Sequence, residues 1–170
     1  MRVSAAIEQK INEQINMELY SANVYLTMAS YFFTRELTGF GAFFTVQMQE
    51  ENFHAMKYFK YLHDVDGHFT LTSIPAPPQD YQSFLHVLEL AYHNEEAVTK
   101  STHALIDQAM SEKDFATYAF LEWFVREQVE EEALMRNILG KLRLIGDDRS
   151  GLFMLDSELS KRTFSPNAAE

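Results

Sequence analysis

The sequence contains no cysteine. Disulfides, thiolate zinc sites and cysteine-ligated iron–sulfur clusters are therefore excluded. Glycine and proline are scarce, six and four in 170 residues, so helix breakers are few and long helices are expected. Positive charge is also short. Fourteen Lys and Arg face 25 Asp and Glu, giving a formal net charge of −11 and a pI near 4.9. That balance speaks against a nucleic acid partner, which wants a basic face. It suits a chain that attracts cations. No run of about 18 apolar residues is present to span a membrane. Met1 to Lys10 is basic but lacks the apolar segment of a secretion signal. A soluble, cytoplasmic protein is the expectation. With 46% hydrophobic residues, the chain can bury a real core as one domain.

Sparse punctuation divides the chain into four long helical stretches and a short one. The first helix is expected from Ala5 to Phe33, before a turn over Arg35 to Gly39. The second runs from Gly41 to Asp66, closed by Gly67. Pro75, Pro77 and Pro78 then mark a connection from His68 to Gln82. The third helix spans Ser83 to Met110. Ser111 and Asp114 offer N-caps to a fourth, which continues to Leu144 and stops at Gly146. A short amphipathic fifth helix, Leu152 to Lys161, completes an expected single domain over residues 1–161, and residues 162–170 are expected to form a flexible tail. The 15-residue connection is longer than antiparallel neighbours need. Extended, it reaches about 50 Å, while a helix of about 28 residues is about 42 Å long. One crossover running the length of an all-α four-helix bundle, with helices two and three parallel, is the expectation.

Each long segment carries one stripe at alternating four- and three-residue spacing, hence one helical face. The stripes read Ile11, Ile15, Glu18, Ala22, Tyr25; Phe44, Gln47, Glu51, His54, Tyr58; Leu88, Ala91, Glu95, Val98, Thr102; and Leu121, Phe124, Gln128, Glu131, Met135. All are apolar toward both ends and acidic in the middle, and no Lys or Arg falls on them. Buried carboxylates without cations are very costly. A metal is the missing positive charge this pattern implies.

At mid-helix, Glu18, Glu51, His54, Glu95 and Glu131 converge in one layer of a bundle. Di-iron carboxylate bundles place one Glu on each of two helices and Glu-x-x-His on each of the other two. Here Glu18 and Glu95 are the single residues and Glu51-Asn52-Phe53-His54 is the first motif. The second is altered to Gln128-Val129-Glu130-Glu131, so the two metals are expected to be inequivalent. Carboxylate and imidazole suit Fe²⁺, Mn²⁺ or Zn²⁺. Glu51 is placed to bridge two ions. Glu50, Glu127 and Glu130 flank the layer and either hold a third ion or form an ordinary solvated face. Tyr25 either hydrogen-bonds a ligand carboxylate and gives an electron, or is packed core. Trp123 reads as packing, and the five histidines off the stripes read as surface.

The segment Asn12-Glu13-Gln14-Ile15-Asn16-Met17-Glu18-Leu19-Tyr20-Ser21 resembles the first helix of prokaryotic non-haem ferritins. Gln49-Glu50-Glu51-Asn52-Phe53-His54 and Glu127-Gln128-Val129-Glu130-Glu131-Glu132 resemble their second- and fourth-helix motifs. The resemblance spans nearly the whole chain. It implies a ferritin-like bundle, a hollow shell of 24 identical subunits, oxidation of Fe²⁺ by O₂ or H₂O₂, and storage of ferric mineral. It makes Glu18, Glu51, His54, Glu95 and Glu131 the ferroxidase ligands, with Gln128 beside the second iron. Glu50, Glu127 and Glu130 match an extra iron site of bacterial members, and Tyr25 matches a tyrosine next to the centre. Haem is not expected, because haem-binding relatives carry two Glu-x-x-His motifs and a Met where Asn52 stands. Tyr118 and Leu121 fall where animal relatives place the acids of a channel for iron, so an entry route of the animal type is not expected. Two rivals are a small di-metal oxidase or peroxidase resembling rubrerythrin, and a DNA-protecting mini-ferritin.

Overall fold

Five helices and no strand make up the described residues, 2–165, of the computed structural model. They are α1 (Ala5–Phe33), α2 (Thr38–Asp64), α3 (Phe84–Ser111), α4 (Phe115–Ile145) and α5 (Arg149–Leu159). Side-chain oxygens cap four of the N-termini: Ser4 for α1, Ser83 for α3, Asp114 for α4 and Asp148 for α5. Each accepts a backbone N–H that the first turn leaves unpaired. Gly146, at φ 55°, ends α4, a conformation glycine takes at no steric cost. Ser111 closes α3 rather than opening α4.

The crossover is fixed by hydrogen bonds along α1. Asn12 donates to the His68 carbonyl at 2.8 Å and accepts from the Thr70 N–H at 2.6 Å. One turn on, Asn16 donates to the Thr70 carbonyl at 3.1 Å and accepts from the Thr72 N–H at 3.0 Å. The connection therefore runs beside α1 as a strand would beside a partner. At its far end the Tyr81 and Thr27 hydroxyls bond at 2.7 Å. The chain then enters α3, where Phe84 meets Tyr31 edge-on. At the opposite end the Val3 N–H donates to the Val65 carbonyl. So α2 and α3 both run antiparallel to α1 and parallel to each other, as the connection length predicts.

The core divides in two. One apolar cluster surrounds Phe32, which stacks on Phe40 at 4.7 Å and on Phe44 at 5.6 Å. The other surrounds Ile7, Ile11, Tyr58 and Phe124, with Tyr58 and Phe124 stacked at 3.9 Å. The acidic stripe positions lie between them along each helix. Leu121 is fully buried in the second cluster, so it lines no channel. Tyr118, three residues before it, is exposed.

The second helix begins at Thr38 rather than Gly41, so Gly39 and Gly41 sit inside its first turns. Tertiary contact overrides their low helix propensity. Leu37 provides no side-chain cap. Asp156 of α5 does so from a distance: its Oδ1 accepts the Phe40 N–H at 2.9 Å. A Cβ on Gly39 would lie 1.7 Å from the Asp156 carbonyl oxygen, so only glycine lets α5 approach. Asp156→Ala should cost about 1 kcal/mol, the usual value of an N-cap. Gly39→Ala should cost more, because backbone must move. Thermal melting of both variants checks the order, and a Gly39→Ala protein as stable as wild type would exclude this docking.

Candidate metal centre

Each helix of the bundle delivers its mid-stripe residues to one layer. Glu18, Glu51, His54, Glu95, Gln128 and Glu131 are each at most 4% exposed. Glu18, Glu51 and His54 offer ligand atoms that all lie within 4.8 Å of one another, a spacing one ion can close. The i, i+3 placement of Glu51 and His54 puts both over a single turn. Glu95 and Glu131 are held by other partners.

An amide or phenol orients most of these carboxylates. Gln14 donates to Glu18 Oε1 at 2.8 Å. Gln47 donates to Glu131 Oε2 at 2.9 Å. Gln128 donates to Glu95 Oε2 at 3.2 Å and touches the Glu95 carbonyl and Thr99 Oγ1. The Tyr25 hydroxyl donates to Glu95 Oε1, and Asn94 Nδ2 donates back to that hydroxyl at 3.4 Å. Tyr25 is thus a hydrogen-bond partner of a candidate ligand as well as a core ring.

After these bonds, Glu18 Oε2 and both oxygens of Glu51 remain buried with no donor from any other residue, and the two carboxyls face only each other. No Lys or Arg among the described residues pairs with Glu18, Glu51 or Glu95. Burial drives the carboxyl pKa values up in consequence. Glu51 lies well above the ordinary range, through burial and then the charges of Glu95 and Glu18. Glu18 and Glu131 are raised by burial. Glu95 is pushed up to about 8 by burial and by Glu131. Burial, with a smaller contribution from Lys57, lowers His54 to about 3. Its imidazole is therefore neutral near pH 7, with a lone pair to offer. The Tyr25 phenol is held well above 10 by burial and then Glu95.

Beside this layer lies a cavity of about 580 Å³, lined among others by His54, Glu50, Glu127, Glu130, Glu131 and Arg162. Glu127 Oε1 stands 4.0 Å from His54 Nε2, so the outer acids adjoin the inner group. Glu50 is pushed up to about 7 by burial, against the pull of Arg162. Glu127 is raised by burial and by Glu131, and Glu130 is exposed.

Arg162 changes one expectation. Its side chain folds back over the layer, pairs with Glu50 at 2.7 Å, reaches Glu131 at 3.7 Å and donates to Gln47 Oε1. Glu131 therefore has a cationic neighbour, although its stripe contains none. Arg162 is half-buried rather than part of a free tail, and of the expected tail residues 166–170 lie outside the described residues. Trp123 packs edge-on to His54 at 5.5 Å and under the Lys57 ammonium at 4.3 Å. His63, His68, His93 and His103 are exposed and His86 is half-buried.

The raised carboxyls fix a sign. Between pH 6.5 and 8 His54 is neutral both folded and unfolded, while Glu95 holds its proton only when folded. The native state then binds more protons, so metal-free stability falls as pH rises, by at most about 1.4 kcal/mol per pH unit per group. Below pH 6.5, His54 opposes this by charging only in the unfolded chain. Thermal melting of metal-free protein should show the decline toward pH 8, and Glu95→Gln should flatten it. Saturating Zn²⁺ should abolish the decline, because metal binding expels those protons and leaves the two states nearly equal in bound protons.

The description that matches this chain is the ferritin-like domain, over residues 8–145. The bacterial non-heme ferritin of Campylobacter jejuni is 40% identical over 163 residues, covering 96% of this chain and 98% of the relative. That of Staphylococcus saprophyticus is 40% identical over 154 residues, covering 91% and 92%. Among solved structures, the open pore ferritin of Archaeoglobus fulgidus superposes with a TM-score of 0.93 at 48% identity, over 95% of this chain and 99% of that one. An engineered closed form of the same ferritin gives 0.94 at 48%, over 96% and 99%. With the bundle, the crossover, the short fifth helix and the acidic layer in place, the chain belongs to the ferritin family.

Proposed function

We propose that this chain takes up iron as a ferroxidase and stores it as ferric mineral inside a closed shell of 24 subunits. The observation that carries the reading is the set of orphaned carboxylate oxygens on Glu18 and Glu51 beside neutral His54. Buried carboxyl oxygens without donors must hold a proton or a cation, and this hard oxygen set with one imidazole suits Fe²⁺. Iron is substrate and cargo here. Glu18, Glu51 and His54 hold one Fe²⁺. Glu51, Glu95 and Glu131, with Gln128 alongside, hold the second. Two Fe²⁺ each give one electron, and O₂ takes both with two protons to leave H₂O₂. With H₂O₂ as oxidant, the same two electrons and two protons give two waters.

The chain's own residues prepare this exchange. Gln14, Gln47, Gln128 and Tyr25 fix the carboxylates by donating hydrogen bonds to them, so little reorganisation is required when iron arrives. The Tyr25 hydroxyl can also pass a proton and an electron from a position bonded to Glu95. Glu50, Glu127 and Glu130 receive a third, more weakly held iron, since they are carboxylate-only and partly open to solvent. Assembly is supported by apolar side chains exposed on the isolated subunit, including Leu26, Phe33, Phe153 and Met154. The rubrerythrin-like alternative lacks a comparable observation. No described helix is long and apolar enough to cross a membrane.

Anaerobic Fe²⁺-loaded protein mixed rapidly with O₂ should give a fast absorbance rise that saturates near about two irons per subunit. Glu51→Ala should cut its rate more than about tenfold, since Glu51 serves both ions. An intact fast phase in that variant would sink the assignment. Replacing Glu50, Glu127 and Glu130 together with Ala should leave the first burst nearly unchanged. It should alter the iron-to-oxygen ratio or the recovery between successive additions of iron. Sedimentation showing only monomers or dimers at neutral pH would remove the shell.

A further inference from the structure

The outer acidic cavity already contains a cation supplied by the chain itself. Three segments build this arrangement. Glu50 and Gln47 come from α2, Glu127, Glu130 and Glu131 from α4, and Arg162 from the return after α5. The guanidinium does not form a two-pronged pair with one carboxylate. One arm donates to the Gln47 side-chain oxygen, and the other lies 2.7 Å from Glu50 and 3.7 Å from Glu131. Its carbon lies 5.1 Å from the centre of the Phe43 ring. Arg126 lines the same cavity without an ion pair to these acids.

We propose that Arg162 is a tethered cation that fills the outer acidic pocket and is displaced when a metal ion occupies it. The proposal rests on the reading of those acids as an iron site. Guanidinium stays charged at any pH the protein meets, so it competes for the pocket at all times. Its tether is short and anchored on both sides. Asp156 fixes α5 six residues earlier, through the Phe40 N–H, and Phe164 packs on Phe53 at 5.9 Å two residues later. A tethered ligand acts at high effective concentration. A metal must pay this competition before it binds, which makes the outer site fill after the inner pair.

Gln47 extends the effect inward. Its oxygen accepts from Arg162 while its nitrogen donates to Glu131. Release of Arg162 therefore frees Gln47 and removes a positive neighbour from Glu131. Occupation of the outer pocket thus alters a ligand of the inner pair, and Arg162 is the positioning residue that couples them.

Zn²⁺ is a redox-inert probe for the test. Calorimetric titration of the assembled, metal-free protein resolves the inner and outer binding steps. The inner steps are identified by their loss in Glu51→Ala, the outer step by its loss in Glu50→Ala with Glu130→Ala. Arg162→Gln should tighten the outer step about tenfold, equivalent to about 1.4 kcal/mol, and leave the first inner step unchanged. Arg162→Lys, a compact ammonium on a similar stem, should fall between. An outer step that is unchanged, weaker or absent in Arg162→Gln overturns the proposal. Should that variant fail to fold, wild-type hydrogen exchange decides. Deuterium uptake over residues 161–165 should rise at the Zn²⁺ concentration that fills the outer step. Unchanged or slower uptake there means Arg162 stays in place, and the proposal fails. Loss of the inner steps from wild type would instead defeat the dinuclear reading, whatever Arg162 does.

Discussion

Desolvated negative charge at the middle of the bundle is the constraint on which this structure depends. Glu18, Glu51, Glu95 and Glu131 come from four segments and meet where water is excluded. An uncompensated carboxylate in such a place costs several kcal/mol or stays protonated. Both responses are visible: the carboxyls are pushed up by burial, and protein donors take a share of their oxygens. What remains unsatisfied is concentrated on Glu18 and Glu51, one helical turn from an imidazole that burial keeps neutral. The site is preorganised for a cation because everything except the cation has been supplied.

Neighbouring elements serve the same layer. The phenol of Tyr25 and the amides of Gln14, Gln47 and Gln128 each sit on the helix or adjoining helix that carries the carboxylate they orient. Rigid helices set these positions, and apolar clusters above and below hold the helices in register. The crossover adds a constraint of its own. Asn12 and Asn16 tie it to α1 on the face away from the site, so α3 starts at the correct end to deliver Glu95.

Much of this was legible because stripes of period 3.6 report both the helix and its buried face. Glu18, Glu51, His54, Glu95 and Glu131 stand out by position alone, as polar breaks in apolar stripes, and all five are buried between the two apolar clusters. The failures have physical causes. The start of α2 lay hidden because Gly39 is placed for α5 and not for helix propensity. Arg162 lay hidden because periodicity says nothing about a chain that turns back after its last helix. Gln47 stood on a stripe but carried no charge, so only its contact with Glu131 reveals its use.

The division of the core into two apolar clusters separated by a polar layer has a consequence for how the fold opens. Cooperative unfolding units follow contiguous apolar packing. The cluster around Phe32 and the one around Ile7 meet across a layer that, without metal, contributes little attraction. In the metal-free chain the layer is therefore held chiefly by its own hydrogen bonds and by the four helices that run through it. An ion bound there would join carboxylates from all four helices within the layer. An ion held there would act as a clasp across the bundle, slowing its breathing on both sides of the layer and not merely around itself.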